Sequence, residues 1–146
     1  MASISNPLTS AMQTYSPALK GATDDPVVTY SVQLGRYATI GKLCYVSIVL
    51  VSTSMTKTTL TDALRVSLPL AAANNAGVMQ QLSARLENAT AALNATVAET
   101  VANASYVQLR NLPLAAASAL LTYGVLSLGV LTNTITVVIS GWYEVA

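Results

Sequence analysis

From Val27 onward, apolar and polar residues exchange places with the period of a strand. Val28, Tyr30, Val32 and Leu34 alternate with Thr29, Ser31 and Gln33, which predicts a strand with one buried face. The run from Leu43 to Val51 is apolar at nearly every position. Both of its faces therefore need cover, one from the domain core and the other from the same chain or a partner. The face needing that second cover carries Leu43, Tyr45, Val49 and Val51, or their alternates. Between the two runs, Gly35-Arg36-Tyr37-Ala38-Thr39-Ile40-Gly41-Lys42 sets two glycines around a short Tyr/Thr/Ile segment, which predicts a tight connection between strands at a sheet edge.

The pattern continues downstream. Ser52 to Thr61 is rich in Ser and Thr and reads as a polar connection. Leu64, Val66 and Leu68 alternate with Arg65 and Ser67 until Pro69 ends the strand. Ala71 to Gly77 is a loop with turn chemistry at Asn75 to Gly77, and a strand is expected over Val78 to Leu86. The segment from Ser83 to Ser105 carries two signals. Its alanines favour helix, and Leu82, Leu86, Leu93, Val97 and Val101 trace parts of a helical stripe. Thr and Asn interrupt that stripe regularly, so we read strands here, with Thr96, Ala98 and Thr100 facing outward. Tyr106 to Arg110 is a strand broken by Asn111 to Pro113, and Leu120 to Leu126 is another. Asn133 opens a final strand in which Ile135, Val137 and Ile139 alternate with Thr134 and Thr136, and which ends in Gly141-Trp142-Tyr143.

About eight strands recur at intervals near a dozen residues, with no βαβ alternation. This predicts an all-β, two-sheet sandwich of jelly-roll type over residues 27–146. Residues 1–26 lack sustained periodicity and are punctuated by Pro7, Pro17, Gly21 and Pro26. They read as an extended N-terminal arm, with Leu8, Met12, Tyr15 and Leu19 as the side chains available for docking on another surface. The arm and the sandwich form one domain with its appendage. Nothing heptad-like or repeating suggests a fibrous shaft.

Charge changes the picture from fold to association. Of 146 residues, 53% are hydrophobic and only 9% are charged, against roughly 25% charged in ordinary globular domains. Interface cores are depleted in charge in the same way, so a self-associating module is expected. Tyr30, Tyr45 and Val49 are candidates for the subunit interface, because tyrosine combines apolar area with a hydroxyl. The seven basic residues (Lys20, Arg36, Lys42, Lys57, Arg65, Arg85 and Arg110) are scattered along the chain. Nucleic-acid binding, which needs clustered cations, is not expected.

Catalytic chemistry has little to work with. The chain has no histidine and one cysteine, Cys44, inside its most apolar run. No metal site, cofactor or disulfide is expected, and no enzyme activity. Ser54 with Lys57, and the adjacent acids Asp24 and Asp25, read as polar loop residues rather than catalytic pairs. No glycan is expected at the sequons Asn88, Asn94 and Asn103, because Met1 to Pro7 shows neither the basic nor the apolar region of a signal peptide. The apolar stretch from Leu112 to Leu131 is interrupted by Pro113, Gly124, Gly129 and several hydroxyl residues, with no flanking cations. It is therefore not expected to span a membrane.

Several segments, in order, resemble a module of tailed-bacteriophage virion proteins. Tyr15-Ser16-Pro17-Ala18-Leu19-Lys20-Gly21 is similar to a Y-x-P-x-L-x-G lead-in. Gly35 to Lys42 is similar to a G-x-Y-x-x-I-G-x turn, with Val46 in the strand that follows. Leu64-Arg65-Val66-Ser67-Leu68-Pro69-Leu70 resembles a strand ending in Leu-Pro, and Ile139-Ser140-Gly141-Trp142-Tyr143 resembles a closing aromatic strand. The resemblance implies a jelly-roll-like sandwich, commonly a homotrimer, displayed on the capsid exterior or at the end of a fibre. It brings no catalytic residues. The expected function is that of a capsid decoration, or cement, protein that stabilises the lattice of the major capsid protein. The alternative is a receptor-binding module of a phage tail or head fibre, with host-surface glycan as its partner.

Overall fold

The computed structural model describes residues 11–74, 80–90, 96–111 and 124–146. Among them are ten strands and a single 3-10 turn, Leu128–Val130. The strands are β1 (Gln13–Tyr15), β2 (Leu19–Lys20), β3 (Val27–Ile40), β4 (Leu43–Thr56), β5 (Arg65–Ser67), β6 (Gln81–Ala89), β7 (Thr96–Thr100), β8 (Tyr106–Asn111), β9 (Gly124–Val125) and β10 (Leu131–Glu144). The chain is all-β and sandwich-like. Its two walls belong to one antiparallel sheet, ordered β1-β3-β4-β10-β6-β7-β8-β5-β2, with β9 beside β8. That sheet curls into a half-barrel, as a strongly twisted sheet of about ten strands tends to do.

The two ends of this order lie close in sequence. β1 pairs with β3 at one edge and β2 pairs with β5 at the other, yet only Ser16, Pro17 and Ala18 separate them. Residues 13–20 therefore lace the two edges of the curled sheet together. The Tyr15 hydroxyl donates to the Ser67 carbonyl at 3.2 Å, and the Ala18 N–H donates to Ser67 Oγ at 2.8 Å. From the β3 side, Gln33 Nε2 donates to the Pro17 carbonyl at 2.8 Å, and the Tyr30 hydroxyl accepts the Leu19 N–H at 2.9 Å. Leu19 is 2% exposed and belongs to the core. Much of what reads as an arm in the sequence thus closes the chain's own fold, because both sheet edges would otherwise present unpaired backbone groups.

The two glycines of the Gly35–Gly41 segment do different work. β3 does not end at Gly35 but runs to Ile40, and the reversal is the two-residue loop Gly41-Lys42. Gly41 has φ +57°, and no other positive φ falls in the loop. That is the sign pattern of a type II′ hairpin turn, in which glycine takes the first central position. Gly35 lies opposite Tyr15 in the β1–β3 register. A Cβ there would sit 2.2 Å from the Tyr15 ring, so the missing side chain is the seat of that ring.

The inward faces are clear-cut. β4 contributes Cys44, Val46, Ile48 and Leu50, and β10 contributes Ile135, Val137, Ile139 and Tyr143. The ladder between these strands ends at Thr136–Val51. Just beyond it, buried Ser52 takes over: its hydroxyl donates to the Asn133 carbonyl at 2.8 Å and accepts the Ile135 N–H at 2.9 Å. The strand reading of the Ser83–Ser105 segment holds in β6 and β7, but the facing is reversed. Ala98 and Thr100 are buried, and Val97 and Glu99 take the outward parity, although Glu99 is itself only 6% exposed. Inward parity would have put the Glu99 carboxylate in the core. Outward, it meets Arg110 at 2.5 Å. Of the remaining expectations, Leu8, the whole of the Asn75–Gly77 turn and positions 120–123 of the Leu120–Leu126 strand lie outside the described residues.

Candidate interaction surface

Cross-strand register decides which side chains share the outer surface. On β3, β4, β10 and β6 the residues between the core positions line up in rows. One row is Val32, Val51, Thr136 and Glu87. The next is Leu34, Val49, Val138 and Arg85, followed by Arg36, Ser47, Ser140 and Ser83. Then come Ala38, Tyr45 and Trp142, and finally Ile40, Leu43 and Glu144 at the hairpin end. This outer wall is apolar in two bands. The first band is aliphatic, and its Val32 and Leu34 are each 39% exposed. The second is aromatic: the Tyr45 and Trp142 rings lie 5.3 Å apart at a 56° tilt, and Trp142 is 48% exposed. A polar stripe led by Arg36 separates the bands.

The opposite wall is built differently. Arg65, Gln108, Glu99 and Gln81 form one continuous cross-strand row over β5, β8, β7 and β6. Gln81 Nε2 donates to Glu99 Oε1 at 3.3 Å, and the Arg65 guanidinium lies 4.3 Å over the Tyr106 ring. The outward parity of the sheet thus has an apolar side and a side crossed by this polar row.

The structure divides the expected contact residues. Tyr45 and Val49 share the apolar wall, about 13 Å apart along β4 at the usual rise per residue. Tyr30 does not join them. Its hydroxyl holds the Leu19 backbone, and burial raises its pKa. Met12 is exposed, whereas Tyr15 is half-buried with its ring edge-on to Tyr37 and its pKa raised by burial. Tyr15 and Leu19 are therefore engaged within the chain's own fold, where the sequence pointed to an external contact. Trp142, the most exposed aromatic of this face, was legible only as part of the closing strand. Its cross-strand partner Tyr45 is what marks the site.

The polar pairs considered for catalysis serve the fold. Asp25 accepts from Lys20 Nζ at 2.6 Å, which lowers its pKa. Asp24 accepts from Thr59 Oγ1 at 2.9 Å. Asp62 Oδ2 accepts the backbone N–H groups of Thr23 and Asp24 at 2.7 and 2.9 Å, and these bonds hold its pKa low. Lys57 Nζ donates to the Leu131 carbonyl and not to Ser54. Burial raises the Cys44 thiol pKa, which makes it a packing group rather than a nucleophile. Among the described residues no three His, Cys, Asp or Glu side chains gather as a metal site, and no helix is long and apolar enough to cross a membrane.

No family model matches the chain, and neither a curated protein nor a solved structure matches it closely enough to indicate kinship.

Proposed function

We propose that this chain is a virion structural protein, a capsid decoration (cement) protein that lies on the head lattice through its apolar wall and turns its polar wall to water. The observation that carries this reading is the unequal character of the two outer faces. An aliphatic band and a Tyr45–Trp142 aromatic pair occupy one side, and the polar row Arg65, Gln108, Glu99 and Gln81 occupies the other. A monomer surrounded by water gains nothing from leaving Leu43 and Trp142 each 48% exposed on one face. A protein seated on a larger surface does.

Such a protein stabilises by linkage. It binds the assembled lattice and not the free subunits, so the lattice gains the binding free energy. Self-association multiplies that gain through avidity. Aromatic side chains such as Trp142 and Tyr45 are the residue types that anchor interfaces. Co-sedimentation with intact tailed-phage particles tests the reading. The wild-type protein should pellet with the particles, and a Tyr45→Ala/Trp142→Ala double variant should not. Equal occupancy by both proteins, or none by either, overturns it.

The exposed aromatic pair also favours a second reading, a receptor-binding module whose ring platform stacks on host glycan. Binding of the purified protein to a glycan array, lost in the same double variant, would support that reading over the first.

A further inference from the structure

We propose that the aliphatic band of the apolar wall is a contact between two copies of this chain, related by a two-fold axis that crosses the strands between its two rows. The proposal deepens the reading above by assigning one band to self-association. It leaves the aromatic band for the larger partner.

The argument is one of register. In the two central rows, β3, β4 and β10 contribute Val32, Val51 and Thr136 in one and Leu34, Val49 and Val138 in the other. At the β6 end the first row finishes in Glu87 and the second in Arg85. These two side chains are exposed, carry opposite charges and lie 3.4 Å apart within one chain. A two-fold turn about an axis between the rows lays each row on the other row of the second copy. Val32 then meets Leu34, Val51 meets Val49, Thr136 meets Val138, and Glu87 meets Arg85 in both directions. On β3 and β4 the columns match apolar on apolar, on β10 Thr136 meets Val138, and on β6 acid meets base.

The row carrying Arg36, Ser47 and Ser140 falls over exposed Thr29, Thr53 and Thr134 of the second copy, a polar surface. A two-fold axis along the strands fails the same comparison, because it lays Leu34 on Arg85 and Val32 on Glu87. The charges of the face thus select one self-complementary arrangement of the isologous kind.

The overlap spans four strands and four rows. At the usual strand spacing and rise it is roughly 20 by 27 Å, on the order of 500 Å² in projection, and more once side-chain relief is counted. That approaches the lower end of the area buried per partner in stable complexes, about 600 Å². Two sheets packed this way keep their strands within about 30° of one another, as in ordinary sandwiches. Tyr45 and Trp142 lie one row beyond these four.

Light scattering on the full chain tests this without any particle, so it can fail independently of the decoration reading. The expected mass is twice the 15.1 kDa protomer. Val49→Lys should give a protomer with unchanged circular dichroism, because its side chain leaves the core untouched. Arg85→Glu and Glu87→Arg each place like charges across the axis twice, and each should raise the dissociation constant by about tenfold or more. The Arg85→Glu/Glu87→Arg double variant recreates the complementarity and should restore wild-type affinity to within about threefold, the scale of rim electrostatics. A protomer or a trimer as the wild-type species overturns the proposal. So does a dimer indifferent to Val49→Lys, or a double variant no better than the singles.

Discussion

Replacing Leu19 by alanine asks whether the N-terminal segment belongs to the fold or projects from it. Leu19 sits in β2 opposite Val66, is 2% exposed, and packs in the common core. Truncating a buried leucine removes transfer free energy and leaves a cavity, at a cost of about 2–5 kcal/mol. Here the cavity would open beside β5, whose strand of only three residues is held from this side by the same lacing segment. A middle value of about 3 kcal/mol is therefore reasonable. For a domain near 150 residues, each kcal/mol moves the melting temperature by about 2–4 °C, so a drop of roughly 6–12 °C is expected. Met12→Ala is the control: Met12 is 52% exposed, and a surface change of this kind stays within about 0.5 kcal/mol. Both variants are melted at one protein concentration, because association would otherwise shift the midpoint. Equal midpoints for Leu19→Ala and wild type would show that the segment does not close the barrel, and the account of its lacing would fall.

Three further outcomes follow from buried polar groups. Ser52→Ala strands the Ile135 N–H and the Asn133 carbonyl where the β4–β10 ladder ends, and urea unfolding should show a loss of about 1–3 kcal/mol. In alkali, Tyr15, Tyr30 and Tyr143, whose pKa values are raised chiefly by burial, keep their protons in the fold and lose them in the unfolded chain near pH 10. Their contribution is therefore complete below that pH and disappears as pH climbs toward the folded values. Stability measured by denaturant titration should fall above about pH 10, with phenolate absorbance rising only on unfolding. In acid the sign is opposite. The Asp62 pKa is lowered by its backbone N–H donors, so its contribution is present above the unfolded value near 3.9 and is lost as pH falls through the folded one. Asp62→Asn should flatten that acid dependence.

The sequence displays periodicity plainly and closure hardly at all. Alternation located β3, β5, β8 and β10, because a strand with one buried face must repeat every two residues, and a run apolar at nearly every position located β4. It also left open which face of β4 went inward, and register answered that: Cys44, Val46, Ile48 and Leu50 are core, while Tyr45, Val49 and Val51 are outside. What alternation could not reveal was long-range pairing. β1 and β2 are three and two residues long, too short to show a period, and they owe their structure to β3 and β5, distant in sequence. Gly35 misled for a related reason. Glycine usually marks a reversal, but here it accommodates a ring arriving from another strand. The facing of β7 reads the wrong way round in the sequence because nothing local places Arg110 beside Glu99.

A single sheet that curls upon itself has a consequence for function. In a two-sheet sandwich each layer can be decorated independently, whereas here neighbouring strands hand their outer rows on from one to the next. The rows of β3, β4 and β10 end at β6, where Arg85 and Glu87 stand beside Val138 and Thr136, and beyond β6 the outward rows mix Arg65, Gln108, Glu99 and Arg110 with Val97 and Val125. On the reading proposed above, β6 borders the associating side. Moving charge across that border, for example by Val138→Glu, should silence association while the core beneath, Val137 and Ile139, holds the strand in place.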